Sequence, residues 1–300
     1  MRLWFGLLIL MVSSRTFGQE CTRYMVVDVF DRKTHLSING LSSADFTARL
    51  DGHIIPVVSA LQNFNNRILV LVETSGPGDN AEAAKLVRAV VEESRYAPSG
   101  RQIAFGAYSK KSAFTRGFVT DSQQRARAID EVMGGDFSAD DRFALYDALH
   151  EALLMFGEHQ SGDTIVLVSD GFDNNSKRSG DDLEKELIAT GVRLNVIIRN
   201  ATNDLARRLL ARFEGRSLKE RGGIHYMSSL TGGMYRWGTT DRDVAFAWNG
   251  YLVGVQLPKE LSRPKVLEFD VRDASGKPSK NAWAVHPFEL APCTATIATR

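Results

Sequence analysis

The sequence predicts an α/β fold: a doubly wound, mostly parallel sheet with helices on both faces, carrying a small β-rich subdomain made from the two chain ends. Three observations predict it. In the middle of the chain, apolar runs of strand length alternate with helical patterns, which is the signature of βαβ units. Two of those runs, Ile68–Glu73 and Thr164–Ser169, lead into an acidic residue and a glycine turn (Glu73-Thr74-Ser75-Gly76 and Ser169-Asp170-Gly171). The two ends of the chain instead show the two-residue period of half-buried strands.

Taken in order, residues 1–18 read as a secretory leader. Arg2 supplies the positive start, Leu3 to Val12 an apolar stretch too short to span a bilayer, and Thr16-Phe17-Gly18 a cleavage site. Glu20, charged and large, disfavours a lipoprotein signal at Cys21. No later segment is long and apolar enough to cross a membrane, so a secreted or periplasmic location is expected. In residues 19–66, Val27 and Val29 alternate with Asp28 and Phe30, and Asn39-Gly40 marks a turn. Asp51-Gly52 then marks a hairpin tip between Phe46–Leu50 and Ile54–Val58.

Residues 67–250 form the α/β part. Strands are expected at Ile68–Glu73, Ile103–Tyr108, Ala113–Val119, Thr164–Ser169, Arg193–Ile198 and Met234–Trp237. Helices are expected at Ala81–Ser94, Ser122–Met133, Phe143–Phe156, Asp181–Thr190, Asn203–Phe213 and from Asp241 to about Gly250. Phe143–Phe156 is the strongest, with Leu145, Leu149, Ala152 and Phe156 at three- and four-residue spacing. In residues 251–300, Tyr251, Val253, Val255 and Leu257 share one strand face, and Leu267, Phe269 and Val271 share another. Ala274 to Lys277 turns the chain before Ala282–Val285. Neither end has enough strands for its own core. Packed together they make a small sandwich that brings Cys21 near Cys293.

These are the two cysteines of the chain. In an oxidising compartment such a pair bonds, with a ceiling of roughly 5 kcal/mol for so long a loop; two free, partly buried thiols are the alternative. Removal of the leader takes away Arg2 and Arg15 and moves the formal charge from +1 to −1. That balance gives no reason to expect nucleic acid as a partner. Enzyme motifs are missing: there is no Gly-x-Ser-x-Gly elbow, Walker loop or His-Glu-x-x-His. Gly76 to Ala81 fits a dinucleotide fingerprint in form, but the next strand ends in Ser109-Lys110 rather than in an acid. His150-Glu151 and Glu158-His159 read as a solvated helix face.

Leu71-Val72-Glu73-Thr74-Ser75-Gly76, Ala144 to Leu149, Val166 to Asn174 and Leu230 to Tyr235 together resemble a von Willebrand factor A domain. The flanks, with Gly40 to Phe46, Leu50-Asp51-Gly52 and Tyr251 to Val255, resemble a secreted group of related proteins known mainly from Acidobacteria. The resemblance implies a Rossmann-like fold and a metal-ion-dependent adhesion site, in which Mg²⁺ takes oxygens from an Asp-x-Ser-x-Ser loop, a Thr and a second Asp. Those positions here are Glu73, Ser75, Pro77, Phe143 and Asp170. Pro77 and Phe143 offer no side-chain oxygen, and Glu73 is one methylene too long for the usual octahedral geometry. The site therefore reads as degenerate, with Glu73, Ser75 and Asp170 left as ligands. No resident cofactor is expected, and weak Mg²⁺ binding is the alternative. A non-enzymatic module is implied, meeting a protein partner through Pro77, Asp79, Phe143 and Asp173. A structural component of the cell envelope is the rival reading, and a hydrolase using a Glu73/Asp170 carboxylate pair the more distant one.

Overall fold

A computed structural model describes residues 21–62, 64, 66–74, 89, 101–135, 142–198, 223–237, 250–258 and 261–293. The leader, the helices expected at Asn203–Phe213 and from Asp241, and Ser75, Pro77 and Asp79 lie outside the described residues, as does Ala81–Ser94 apart from Ala89. The N-terminal strands are β1 (Cys21–Asp31), β2 (Phe46–Leu50), β3 (His53–Ile55) and β4 (Val57–Gln62). The middle of the chain supplies β5 (Arg67–Glu73), β6 (Gln102–Tyr108), β7 (Ser112–Phe114), α1 (Ser122–Met133) and α2 (Leu145–Met155). It continues with β8 (Thr164–Ser169), α3 (Gly180–Thr190), β9 (Arg193–Ile198), α4 (Ile224–Leu230) and β10 (Tyr235–Trp237). The C-terminal strands are β11 (Tyr251–Leu257), β12 (Lys265–Val271), β13 (Ala282–Val285) and β14 (Glu289–Leu290).

The middle forms a six-stranded sheet in the order β10-β9-β8-β5-β6-β7, parallel except for β7. Its central strands are buried along their length, which is why they read as unbroken runs of Ile, Leu and Val. One face packs on α2, α3 and α4 through Leu149, Leu153, Leu187 and Met227. The other face carries Ile68, Val70 and Val166 against Ala89, Ile129 of α1 and Phe30 of β1. Among the described residues no helix is long and apolar enough to cross a membrane.

The chain ends interleave into two four-stranded sheets, β13-β1-β11-β4 and β14-β12-β2-β3, sharing one core of Val27, Val29, Phe46, Tyr251, Val253 and Phe269. Asp51 and Gly52 both take positive φ, as the two-residue hairpin between β2 and β3 requires. The expected strand Ile54–Val58 is split at Pro56. Proline has no N–H for a ladder, and the chain changes sheets there, β3 pairing with β2 and β4 with β11. The strand expected over Ala113–Val119 is likewise shorter. The Thr115 hydroxyl takes the Phe105 N–H, and Val119 returns only as a single bridge to Ile103. Cys21 and Cys293 are disulfide-bonded, with Cα atoms 6.3 Å apart.

Strand β1 joins the two halves because both of its faces are buried. Met25, Val27 and Val29 enter the sandwich core, while Phe30 enters the core beneath the larger sheet. Asp28, on the same side as Phe30, forms a buried ion pair with Arg193 at the start of β9. Arg193 also donates through Nε to the Gly232 carbonyl at 2.9 Å.

Candidate functional site

The strand order reverses between β5 and β8, and ligands of open α/β sheets bind in the crevice that such a switch point opens at the carboxyl ends of the strands. Glu73 ends β5 and Asp170 follows β8, so the fold brings these two expected site residues together there. The Glu73 side chain is turned inward and the residue is only 1% exposed. Its Oε2 accepts the Ser169 hydroxyl at 2.7 Å and the Asp170 backbone N–H at 2.8 Å. Ser169 Oγ in turn accepts the Tyr108 hydroxyl at 2.8 Å and the Gly171 N–H at 2.9 Å. One donor and two lone pairs are all a serine hydroxyl has, so Ser169 is saturated. The Thr74 N–H and hydroxyl both go to the Tyr108 carbonyl, at 2.8 and 3.0 Å. Glu73 thus ties the ends of β5 and β8, and Tyr108 adds the end of β6.

Above this buried floor the loops are stitched to one another. Asp170 Oδ1 accepts the Phe172 N–H at 2.9 Å, across a Gly171 at φ 85°. This turn leaves the Phe172 ring standing outward, the residue 57% exposed. Phe143 is half-buried. Its N–H donates to Asn174 Oδ1 at 2.8 Å, and its carbonyl accepts from the N–H groups of Asn174 and Asn175. Helix α2 cannot cap itself, since Ala144 at its N-cap has no oxygen to offer. Asp173 caps it from across the gap, accepting the Leu145 N–H at 2.8 Å, and Ser176 Oγ accepts those of Tyr146 and Asp147. Asp147 answers by accepting the N–H groups of Lys177 and Arg178, each at 3.0 Å. The Tyr146 hydroxyl is pushed upward in pKa by burial and then by the charge of Asp173. Asp173, expected at the partner surface, therefore holds α2 and the loop together. Asp173→Ala should cost about 1–2 kcal/mol of stability, the range for a lost N-cap, read as a shift of the urea midpoint at unchanged slope.

The von Willebrand-type metal can be tested against these residues. The Glu73 oxygen that faces β8 already accepts two protein donors, one Asp170 oxygen closes the turn to Phe172, and Phe143 brings no oxygen. Among the described residues no three His, Cys, Asp or Glu side chains cluster closely enough to hold a metal ion. Glu73 and Asp170, the expected ligands that are described, supply only part of a six-oxygen Mg²⁺ shell.

Tyr108, Ser169 and Phe172 escaped the sequence reading. Tyr108 had a signal, since it ends the strand that pairs in register with Glu73. Phe172 had one too, an aromatic in an otherwise polar loop. The solvated helix face expected at His150 is corrected. His150 Nδ1 meets Glu186 at 2.8 Å and its Nε2 meets Arg178 at 2.8 Å, in a partly buried cluster between α2 and α3.

No protein-family model and no curated protein matches the sequence. Among solved structures, the chain is similar to a von Willebrand factor type A protein from Catenulispora acidiphila, with 10% identity over 90% of this chain and 73% of that one, at TM-score 0.46. It is similar to the ArnB paralog VWA2 from Sulfolobus acidocaldarius, with 13% identity over 90% and 76%, at TM-score 0.44. It is also similar to the conserved hypothetical protein BatB from Bacteroides thetaiotaomicron, with 12% identity over 61% and 97%, at TM-score 0.43. These are distant likenesses, and what those proteins bind does not carry over. The α/β fold stands on the strand order and register of this chain.

Proposed function

We propose that this chain is a secreted, non-enzymatic recognition module that holds a protein partner at the loops around Glu73, Phe143 and Asp170, by apolar contact and without a bridging metal. The observation that carries the reading is the pair of opposite exposures at one sheet edge: a carboxylate sealed beneath it and the Phe172 ring presented above it. An exposed aromatic on a loop pinned by its own hydrogen bonds is a pre-ordered anchor of the kind that dominates interfaces. Glu73 and Asp170 make a poor catalytic pair, because the Glu73 oxygen nearest Asp170 is bonded to that residue's main chain and Ser169 has no lone pair free. The leader expected at residues 1–18 and the disulfide both suit an oxidising, extracytoplasmic compartment.

The test is capture of partners from an envelope extract on the immobilised mature protein, in EDTA and in Mg²⁺. One saturable partner should be retained equally in both and by Asp170→Ala, and Phe172→Ser should weaken its binding at least about tenfold, the loss of a small hot spot. Strict dependence on Mg²⁺ would sink the reading.

A further inference from the structure

Among the described residues, strand β13 is an edge strand of its sheet, with β1 on its one paired side. The direction of its main-chain groups follows from its neighbours. The Arg32 N–H donates to the Asn281 carbonyl at 2.7 Å, while on the opposite side of β1 the Val29 carbonyl accepts from Ile38 and the Asp31 N–H donates to Leu36. Antiparallel pairs alternate between bonded and non-bonded. With Phe30 opposite Trp283 and Asp28 opposite Val285, those two residues bond to β1, and Ala282 and Ala284 point away. Ala282 is satisfied, its N–H by Ser279 Oγ at 3.2 Å and its carbonyl by Arg32 Nε at 3.0 Å. Ala284 is not: its N–H and carbonyl, and the His286 N–H that follows, make no hydrogen bond among the described residues.

That open edge does not face flat solvent. It forms a wall of a groove of about 390 Å³ between β13 and α4, lined by His225, Tyr226, Trp283, Val285, His286 and Phe288 among others. Ala284 turns its methyl group to the sandwich core, so what it offers the groove is its main chain. Among the described residues no Asp, Glu, Lys or Arg lines the groove. Burial lowers the pKa of both His225 and His286, which favours the uncharged imidazoles. His225 Nδ1 is sealed without a partner, and His286 Nδ1 lies 2.9 Å from the Pro287 carbonyl. In the neutral rings these surroundings favour the proton on Nε2 of His225 and on Nδ1 of His286, where it faces the Pro287 carbonyl.

We propose that this groove receives an extended, uncharged peptide segment of a partner protein, which adds as a strand to the free edge of β13. Unpaired main-chain groups on a sheet edge are a template for another strand, and strand addition takes its affinity from those groups and its specificity from pockets for alternate side chains. The neutral aromatic lining selects apolar or aromatic residues at those alternate positions. None of its lining residues belongs to the loops around Glu73, and the proposal does not depend on their role.

The mature protein, panned against displayed random octapeptides, should enrich uncharged sequences with apolar residues at alternate positions. On binding a synthetic copy, the Ala284 amide should gain at least tenfold hydrogen-exchange protection. Ala284→Pro deletes the outward N–H at the middle of this edge and leaves the ladder to β1 intact, so it should weaken binding at least tenfold. Phe288→Ser, at a residue 46% exposed, should do the same without touching the strand. Leu154→Ser, on the outer face of α2, should change nothing. The proposal is overturned if no peptide is enriched, if Ala284 gains no protection, or if backbone N-methylation of the peptide leaves binding intact. Protection of Ala284 by concentration-dependent self-association alone would also overturn it, in favour of pairing between copies.

Discussion

Asp28→Ala should lower the free energy of unfolding by about 3–5 kcal/mol, the cost of stranding one charge of a buried pair. Asp28 is 2% exposed and Arg193 3%. With the carboxylate gone, the guanidinium would keep the Gly232 carbonyl as an acceptor and would have to draw water into the seam between the sandwich and the larger sheet. A buried pair of this kind adds little net stability, because desolvation offsets the attraction. Burial raises the Asp28 carboxyl above its ordinary value, against the pull of Arg193 and of Arg236. Replacing both charges, as Asp28→Leu with Arg193→Met, should therefore recover most of the loss, and Asp28→Asn should fall between. Urea denaturation at neutral pH reads all three. A loss below about 1 kcal/mol for Asp28→Ala, the size of an exposed pair, would mean that the seam admits water and the two halves are joined by Phe30 and its neighbours alone.

That seam also marks where the sequence stopped being legible. The strands of the larger sheet announced themselves because burial on both faces leaves an unbroken run of Ile, Leu and Val, and the ranges Thr164–Ser169 and Arg193–Ile198 are those of β8 and β9. The hairpin at Asp51-Gly52 was legible for a local reason, since only certain residues accept positive φ at both positions. In β1, Asp28 reads only as a residue alternating with Val27 and Val29, and nothing local says that Arg193 lies over it. Pro56 was visible as a residue, but a proline reads equally as an edge position or as a crossing between sheets. At the site, the edge itself was legible from Glu73 and Asp170-Gly171. The inward turn of Glu73 was not, because it needs Ser169 and the Asp170 main chain, 96 and 97 residues away. Asp173 was legible as polar and not as a helix cap, since the helix it caps begins 28 residues earlier in the chain.

Supplying an aspartate and two hydroxyls at this sheet edge should create a metal site stronger than any the native chain offers. The variant Glu73→Asp, Pro77→Ser, Phe143→Thr should bind Mg²⁺ or Mn²⁺ with a Kd below about 10⁻⁴ M, tighter than weak extracellular calcium modules, while the native chain should stay weaker than about 10⁻³ M. Each change has its own reason. Shortening Glu73 withdraws its oxygen from the Ser169 hydroxyl and the Asp170 N–H and frees it for a cation. Serine and threonine restore the two hydroxyls that Pro77 and Phe143 lack. Phe143→Thr keeps the main-chain bonds to Asn174 and Asn175, so the loop should hold its shape. Withdrawing Glu73 breaks charge-assisted hydrogen bonds worth about 1.5–3 kcal/mol each, so the metal-free variant should be less stable than the native chain and should regain stability as metal is added. Calorimetric titration gives the affinity, and thermal unfolding with and without Mn²⁺ gives the linkage. Adding Asp170→Ala should abolish both. Binding by the native chain below 10⁻⁴ M would show instead that Glu73 leaves its partners for a cation, and the metal-free reading of this sheet edge would fall.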